Sequence, residues 1–205
     1  MRATEELRLR FACRKQPPSS LLDVGCGNGV FLRVARTNGY DVEGIDISRT
    51  AASLASEQGF RAVAGDFLTH TFDRQFDIIT MWDVVEHLTD PLGFLSRARQ
   101  LLNPGGFVFA KVPCFGASNF LLIRRCNRLA VLLLAAPAHI QYFTENSLLQ
   151  LATNAGFGPS EVIRAGAFRS PSTGGSSLGK KAVGICVQKL RLVLGNYNAL
   201  LYANK

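Results

Sequence analysis

Cysteine, histidine and acid are each scarce in a way that narrows the field. The five cysteines stand at 13, 26, 114, 126 and 186, an odd number with no Cys-x-x-Cys pair. That spacing fits neither a zinc ribbon nor a disulfide framework, and reduced thiols in a cytoplasm are the simplest account. Histidine occurs three times, at 70, 87 and 139. No His/Asp/Glu group has the local spacing of metal ligands, so no metal is expected. Long apolar runs are missing as well. The longest, residues 129–138, is about half of the roughly 20 residues a bilayer crossing needs. The opening residues carry Glu5 and Glu6 without an apolar core segment, unlike a secretory leader. A cytoplasmic location is therefore expected.

Acid is absent after Glu161. Residues 1–103 hold 12 basic and 13 acidic side chains, whereas residues 104–205 hold 11 basic and only Glu145 and Glu161 as acids. The second half either presents a solvated basic surface or faces an anionic partner. Such a partner is a phospholipid surface, a phosphorylated or carboxylated substrate, or nucleic acid. The aromatic–basic interleaving of RNA-binding chains is lacking, which ranks nucleic acid lowest. Hydrophobic residues make up 47% of the 205. Disorder is thereby excluded as the main state, and one domain with a sizeable core is expected.

The first half alternates strand and helix. Residues 20–24 form a short apolar run ending in glycines, a buried strand. Residues 29–38 carry apolar side chains at 30, 31, 34 and 35, a helical spacing closed by Gly39. A strand at 42–46 is followed by a helix with Ser48 as N-cap and Gly59 at its end. Strands follow at 61–64 and 76–82. Pro91 opens a helix running to Leu102, Asn103-Pro104-Gly105-Gly106 is a turn, and residues 107–112 are a fifth strand. This order implies βαβ units and a doubly wound parallel α/β sheet, which binds ligands beyond the carboxyl ends of its strands.

The unusual residues lie at those ends. Asp23-Val24-Gly25-Cys26-Gly27-Asn28-Gly29 joins the first strand to the first helix, and its glycines allow a tight turn and close ligand approach. Asp46 ends the second strand, where a carboxylate can accept both hydroxyls of a ribose. Asp66 ends the third, in reach of an adenine amino group. A dinucleotide site wants G-x-G-x-x-G. Here the pattern is G-x-G-x-G with Asp23 before it, which suits a cofactor bearing an ammonium and a sulfonium better than a pyrophosphate. Glycine-rich turns of this kind also occur without any nucleotide.

The segment LLDVGCGNGVFLRVARTNGYDVEGIDIS resembles motif I and its continuation in class I S-adenosylmethionine-dependent methyltransferases. AGDF (64–67), FDIITMWDVVEHLTDP (76–91), LNPGGFVFAKVP (102–113) and HIQYFTENSLLQLATNAGF (139–157) continue it in order. The subgroup it is most similar to includes the ubiquinone-biosynthesis-type O-methyltransferases. The likeness covers about residues 20–165, and residues 196–204 are similar to the antiparallel final strand of that Rossmann-like, seven-stranded fold. The resemblance implies S-adenosylmethionine as cofactor. It implies that Asp23 and Gly25 hold the methionine end and that Gly27 and Gly29 form the loop beneath, with Cys26 and Asn28 in the same loop. Asp46 would bind the ribose, Ile47 line the adenine pocket, and Asp66 and Phe67 contact the adenine. Trp82, Asp83 and Val84 would lie along the methionine moiety.

Methyl transfer to a hydroxyl needs a base near neutral pK. His87, just past the fourth strand, and His139, just after the insertion that follows the fifth, are the candidates. Each has a plain alternative as a brace for its loop, and His70 is expected in solvent. The insertion at about 114–138 places Arg124, Arg125 and Arg128 on one helical face beside an oily run. It is expected to act as a lid packed on its own domain, or to lie on an anionic membrane surface. A basic C-terminal segment at about 166–195 is expected on the same, substrate side. Together they favour a small amphiphilic, lipid-linked or glycan-linked acceptor. The alternatives are an NAD-dependent oxidoreductase and a non-catalytic relative that binds the cofactor.

Overall fold

The computed structural model describes residues 20–114, 139–165 and 197–205. The lid expected in the insertion and the basic segment at 166–195 lie outside the described residues, Cys114 excepted.

Seven strands form one sheet: β1 (Ser20–Val24), β2 (Asp41–Asp46), β3 (Arg61–Ala64), β4 (Phe76–Trp82), β5 (Leu102–Cys114), β6 (Ser160–Ala165) and β7 (Tyr197–Asn204). Their order is β3-β2-β1-β4-β5-β7-β6. The first five are parallel, and β7 runs antiparallel to both β5 and β6. The doubly wound sheet with an antiparallel final strand is thus observed. Four α-helices accompany it among the described residues: α1 (Val30–Thr37), α2 (Arg49–Glu57), α3 (Pro91–Leu101) and α4 (Glu145–Asn154). A 3-10 turn (Val85–His87) follows β4.

Burial on both faces explains why the central strands read as continuous apolar runs. Successive side chains of a strand point to opposite faces. Leu21, Ile78, Phe107 and Phe109 therefore pack with Leu32 and Ala35 of α1 and Ala55 of α2 on one side. Leu22, Ile79 and Val108 pack with Leu95 and Ala98 of α3 and Leu148 and Ala152 of α4 on the other. Each fully buried Leu or Ile contributes roughly 1.5–3 kcal/mol. The turn expected at 103–106 is a bulge within β5: Phe76 pairs with Leu102, but Ile78 already pairs with Phe107. Two elements not recognised in the sequence, α4 and β6, complete the fold. A capping box starts α4, with the Thr144 side chain accepting from the Ser147 amide and the Ser147 hydroxyl accepting from the Thr144 amide.

Strand order reverses between β1 and β4, which are neighbours although not consecutive in the chain. Loops leaving these two strands diverge to opposite sides and open a crevice beyond their carboxyl ends.

Candidate functional site

The first loop can follow its path only because residue 25 is glycine. Its φ is +72°, and a Cβ there would lie 2.5 Å from Val84 Cγ2 at the exit of β4. The amides of Gly25 and Cys26 both donate to the Ile45 carbonyl, at 2.8 and 3.2 Å, tying the loop to the end of β2. Asp46 locks the arrangement. Its Oδ2 accepts from the Gly27 amide and its Oδ1 from the Ser48 amide, each at 2.8 Å. Two backbone donors fix the carboxylate while each oxygen retains a second lone pair for a ligand.

Asp23 lies beneath the loop, 2% exposed, and accepts a hydrogen bond from the Thr80 hydroxyl at 2.7 Å. Burial pushes its carboxyl from the ordinary 3.8 up to about 7, and the nearby Asp46 charge adds to the rise, while the Thr80 bond opposes it. A cation arriving at the loop would draw this group back toward its ionised form.

A cavity of about 460 Å³ spans the strand ends. Gly25, Asp46 and Ile47 line it from β1 and β2, Asp66 and Phe67 from the end of β3, and Trp82, Asp83, Val84 and His87 from the exit of β4. Ile47 is 77% exposed at its mouth, an apolar side chain left in water, whereas Phe67 is buried. Asp66 holds its own loop, accepting from the Leu68 amide at 3.0 Å. Leu88, Thr89 and Phe94 also line the cavity and were not anticipated. No sequence spacing points to them: Leu88 and Thr89 come from the turn into α3 and Phe94 from its first turn.

Other expected residues sit elsewhere. Cys26 is buried and faces away from the cavity: it packs over Gly44, whose added Cβ would lie 2.7 Å from the sulfur. Burial pushes its thiol up to about 12, with the charge of Asp23 contributing. Asn28 is exposed, and its carbonyl accepts from the Gln58 side chain at 2.9 Å. Gly27 and Gly29 shape the loop without lining the cavity, and the Gly29 amide donates to the Cys26 carbonyl at 3.0 Å. His70 is half-buried with its ring 4.7 Å from that of Phe72, so the expectation of a solvated side chain is corrected. Phe72 in turn meets the rings of Phe67 and Phe76, contacts that the loop sequence alone does not reveal.

The exit of β4 is unusual. Asp83 has a φ of +53°, alone in the left-handed region among the described non-glycine residues. Lys111 of β5, 7% exposed, reaches it with a 2.7 Å ion pair. The ion pair and the Asp83 amide's bond to the Lys111 carbonyl, at 3.2 Å, hold the strained turn in place. Glu86 follows, 1% exposed, with neither carboxylate oxygen hydrogen-bonded among the described residues. Burial pushes its carboxyl up to about 7. The His87 and His139 rings meet edge to face at 5.0 Å. The sequence shows no metal-like spacing, yet the fold gathers Glu86, His87 and His139 so that one ligand atom of each lies within 4.8 Å of the others. The expectation that no such cluster exists is therefore corrected: its members come from separate segments, which local spacing cannot detect.

The cavity thus combines a carboxylate fixed by two amides, apolar walls, and a buried carboxyl beneath a glycine turn. A family model described as a methyltransferase domain matches residues 2–161. The chain belongs to this methyltransferase family. The ubiquinone biosynthesis O-methyltransferase of Thiobacillus denitrificans is 31% identical over 126 residues, covering 57% of this chain and 54% of that protein. The protein of the same name from Psychrobacter arcticus is 29% identical over 155 residues, covering 70% and 60%. The methyltransferase chain thus spans about half the length of the curated relatives it matches. Among solved structures, a S-adenosylmethionine-dependent methyltransferase from Archaeoglobus fulgidus superposes with a TM-score of 0.67 at 20% identity, over 99% of this chain and 93% of that one. Phosphoethanolamine N-methyltransferase 2 of Haemonchus contortus, in complex with S-adenosylmethionine, gives 0.70 at 18% identity, over 99% and 52%. These two likenesses show the fold of a methyltransferase. Among the described residues no helix is long and apolar enough to cross a membrane.

Proposed function

We propose that the chain transfers a methyl group from S-adenosylmethionine to an oxygen of a small amphiphilic, lipid-linked or glycan-linked acceptor. The observation that carries the cofactor assignment is Asp46, pinned by the Gly27 and Ser48 amides at the mouth of the cavity. It would take the ribose hydroxyls, Asp66 the adenine edge, and Ile47 and Phe67 the adenine faces. Asp23 and the Gly25 turn would hold the charged methionine end. When bound, S-adenosylmethionine supplies a methyl group already activated on a sulfonium. The protein's remaining work is to align the acceptor, exclude water and manage the acceptor's proton. His87 lines the cavity, and His139 stands against it, so the proton is handled at that end.

Oxygen as the target is supported by the relatives named as O-methyltransferases. The acceptor class is supported by the basic, oily second half of the sequence. The same half supports a peripheral contact with anionic membrane on the cytoplasmic side. Calorimetry with S-adenosylhomocysteine tests the cofactor assignment. Binding is expected for the natural chain, weakened at least tenfold in Asp46→Ala, since a ribose hydrogen bond to a charged group is worth about 1.5–3 kcal/mol. Absence of heat with folded protein would overturn it. Labelled-methyl turnover against cell extract separates an enzyme from a non-catalytic relative, and salt-sensitive sedimentation with anionic vesicles tests the membrane contact.

A further inference from the structure

The wall of the cavity that follows β3 is a tight turn, and a turn has to be held in place as well as in shape. Its shape comes from within. The amides of Thr69 and His70 both donate to the Asp66 carbonyl, at 3.2 and 2.9 Å, and the Leu68 amide donates to the Asp66 side chain at 3.0 Å. Its place comes from two sides. Toward β2, the Gly65 amide donates to the Asp46 carbonyl at 2.9 Å. Toward α3, the Arg97 guanidinium donates from Nη2 to the His70 carbonyl at 3.0 Å. Among the described residues, no other hydrogen bond joins residues 66–70 to a different element.

Packing runs along the same line. Phe94 and Arg97 are three residues apart and so share a face of α3. Phe94 and Phe67 both line the cavity, with ring centroids 5.3 Å apart. Apolar contact of this kind is non-directional and leaves the turn free to slide. A hydrogen bond from a guanidinium is directional, and a charged donor makes it roughly twice as strong as a neutral one. The fork is steadied from its own helix, where Nη1 donates to Gln100 Oε1 at 3.4 Å. Its Nε is buried without a hydrogen-bond partner among the described residues, and in such dry surroundings the bond to His70 is stronger than it would be in water.

We propose that Arg97 is a positioning residue for the adenine end of the cofactor. It does not line the cavity. It acts through the His70 carbonyl, setting where Asp66 and Phe67 stand relative to Phe94. Without it the turn keeps its internal bonds but drifts from α3, and the close fit that a binding site requires is lost at that end. The glycine loop after β1, tied separately to the Ile45 carbonyl, is unaffected. The adenine role rests on the reading of the cavity as a S-adenosylmethionine site. The latch between α3 and the turn does not.

The test compares the full natural chain with Arg97→Met, which keeps the apolar stem and removes the donors, and with Arg97→Lys, which keeps a cation able to reach a carbonyl. Without ligand, amides of residues 66–72 should exchange hydrogen at least about tenfold faster in Arg97→Met, while those of the glycine loop stay unchanged. By calorimetry, Arg97→Met should bind S-adenosylhomocysteine and methylthioadenosine, which lacks the amino-acid end, more weakly by the same factor of about three to ten. Arg97→Lys should recover most of both losses. A purely structural role would appear in urea denaturation and leave both affinities where they were. Unchanged exchange, unchanged affinities in Arg97→Met, or a loss confined to S-adenosylhomocysteine would overturn the proposal alone. A natural chain that binds neither nucleoside would overturn the cofactor reading and the adenine role together.

Discussion

At the scale of single residues, Gly25 and Asp83 carry the most conformational information. Both lie in the left-handed region, and Gly25 lies against Val84, the neighbour of Asp83. Gly25→Ala places a side chain in left-handed backbone, which costs about 1–2 kcal/mol by itself. It also drives a methyl group into Val84. Thermal denaturation should show that loss, and S-adenosylhomocysteine should no longer stabilise the variant. Unchanged ligand stabilisation would mean that the loop does not form the cradle. The glycine loop was legible in the sequence because few residue types tolerate such a turn. Asp83 was legible only as a position after a strand. Its strain depends on Lys111, which nothing local connects to it.

At the scale of elements, the β4–β5 pair decides how the exit of β4 is built. Lys111 is buried, while Asp83 is 42% exposed at its side chain. Removing either partner breaks the same ion pair with unequal consequences. Asp83→Ala strands an ammonium away from water, whereas Lys111→Met leaves a carboxylate that water can reach and fills the gap with a similar apolar stem. Asp83→Ala is expected to be the more destabilising, by on the order of 1–3 kcal/mol. Paired urea denaturation curves measure the difference, and the reverse order would show that the pair is not the reason Lys111 is tolerated inside.

The strand–helix alternation of the first half was readable because glycines at 39 and 59 and the Ser48 cap mark the boundaries. The bulge at 103–106 was read as a plain turn, since Pro and Gly signal a bend without saying whether pairing resumes on the same strand. His87 and His139 were singled out as candidate bases, but their meeting with Glu86 in one cluster was not legible. It exists because the chain returns to the β4 exit after a long excursion, and the backbone bonds to the Glu86 carbonyl that enforce the return leave no trace in residue spacing.

At the scale of the whole molecule, Asp23 couples folding, ligand binding and pH. Its carboxyl is raised to about 7 in the folded chain, from an ordinary 3.8. Between those values the folded state holds a proton that the unfolded state releases. Asp23's contribution therefore lowers stability as pH rises from about 4 to about 7, and is absent below that window. Asp23→Asn should flatten this part of the stability–pH curve in chemical denaturation. The ammonium of the ligand's homocysteine end favours the ionised carboxylate, so the affinity for S-adenosylhomocysteine should climb from pH 6 to pH 8, by up to about tenfold. Calorimetry with Asp23→Asn should show that climb abolished. A flat profile in the natural chain would mean that Asp23 does not sense the ligand.

Cys114, the last residue of β5, and Phe143, just ahead of α4, are joined by a parallel bridge. The polypeptide between them consequently departs from and rejoins the sheet at neighbouring points, whatever its length or composition. Both ends of that excursion are thus moored at one place, and the residues just before Phe143 are moored a second time, by the Ile140 and Gln141 amides on the Glu86 carbonyl.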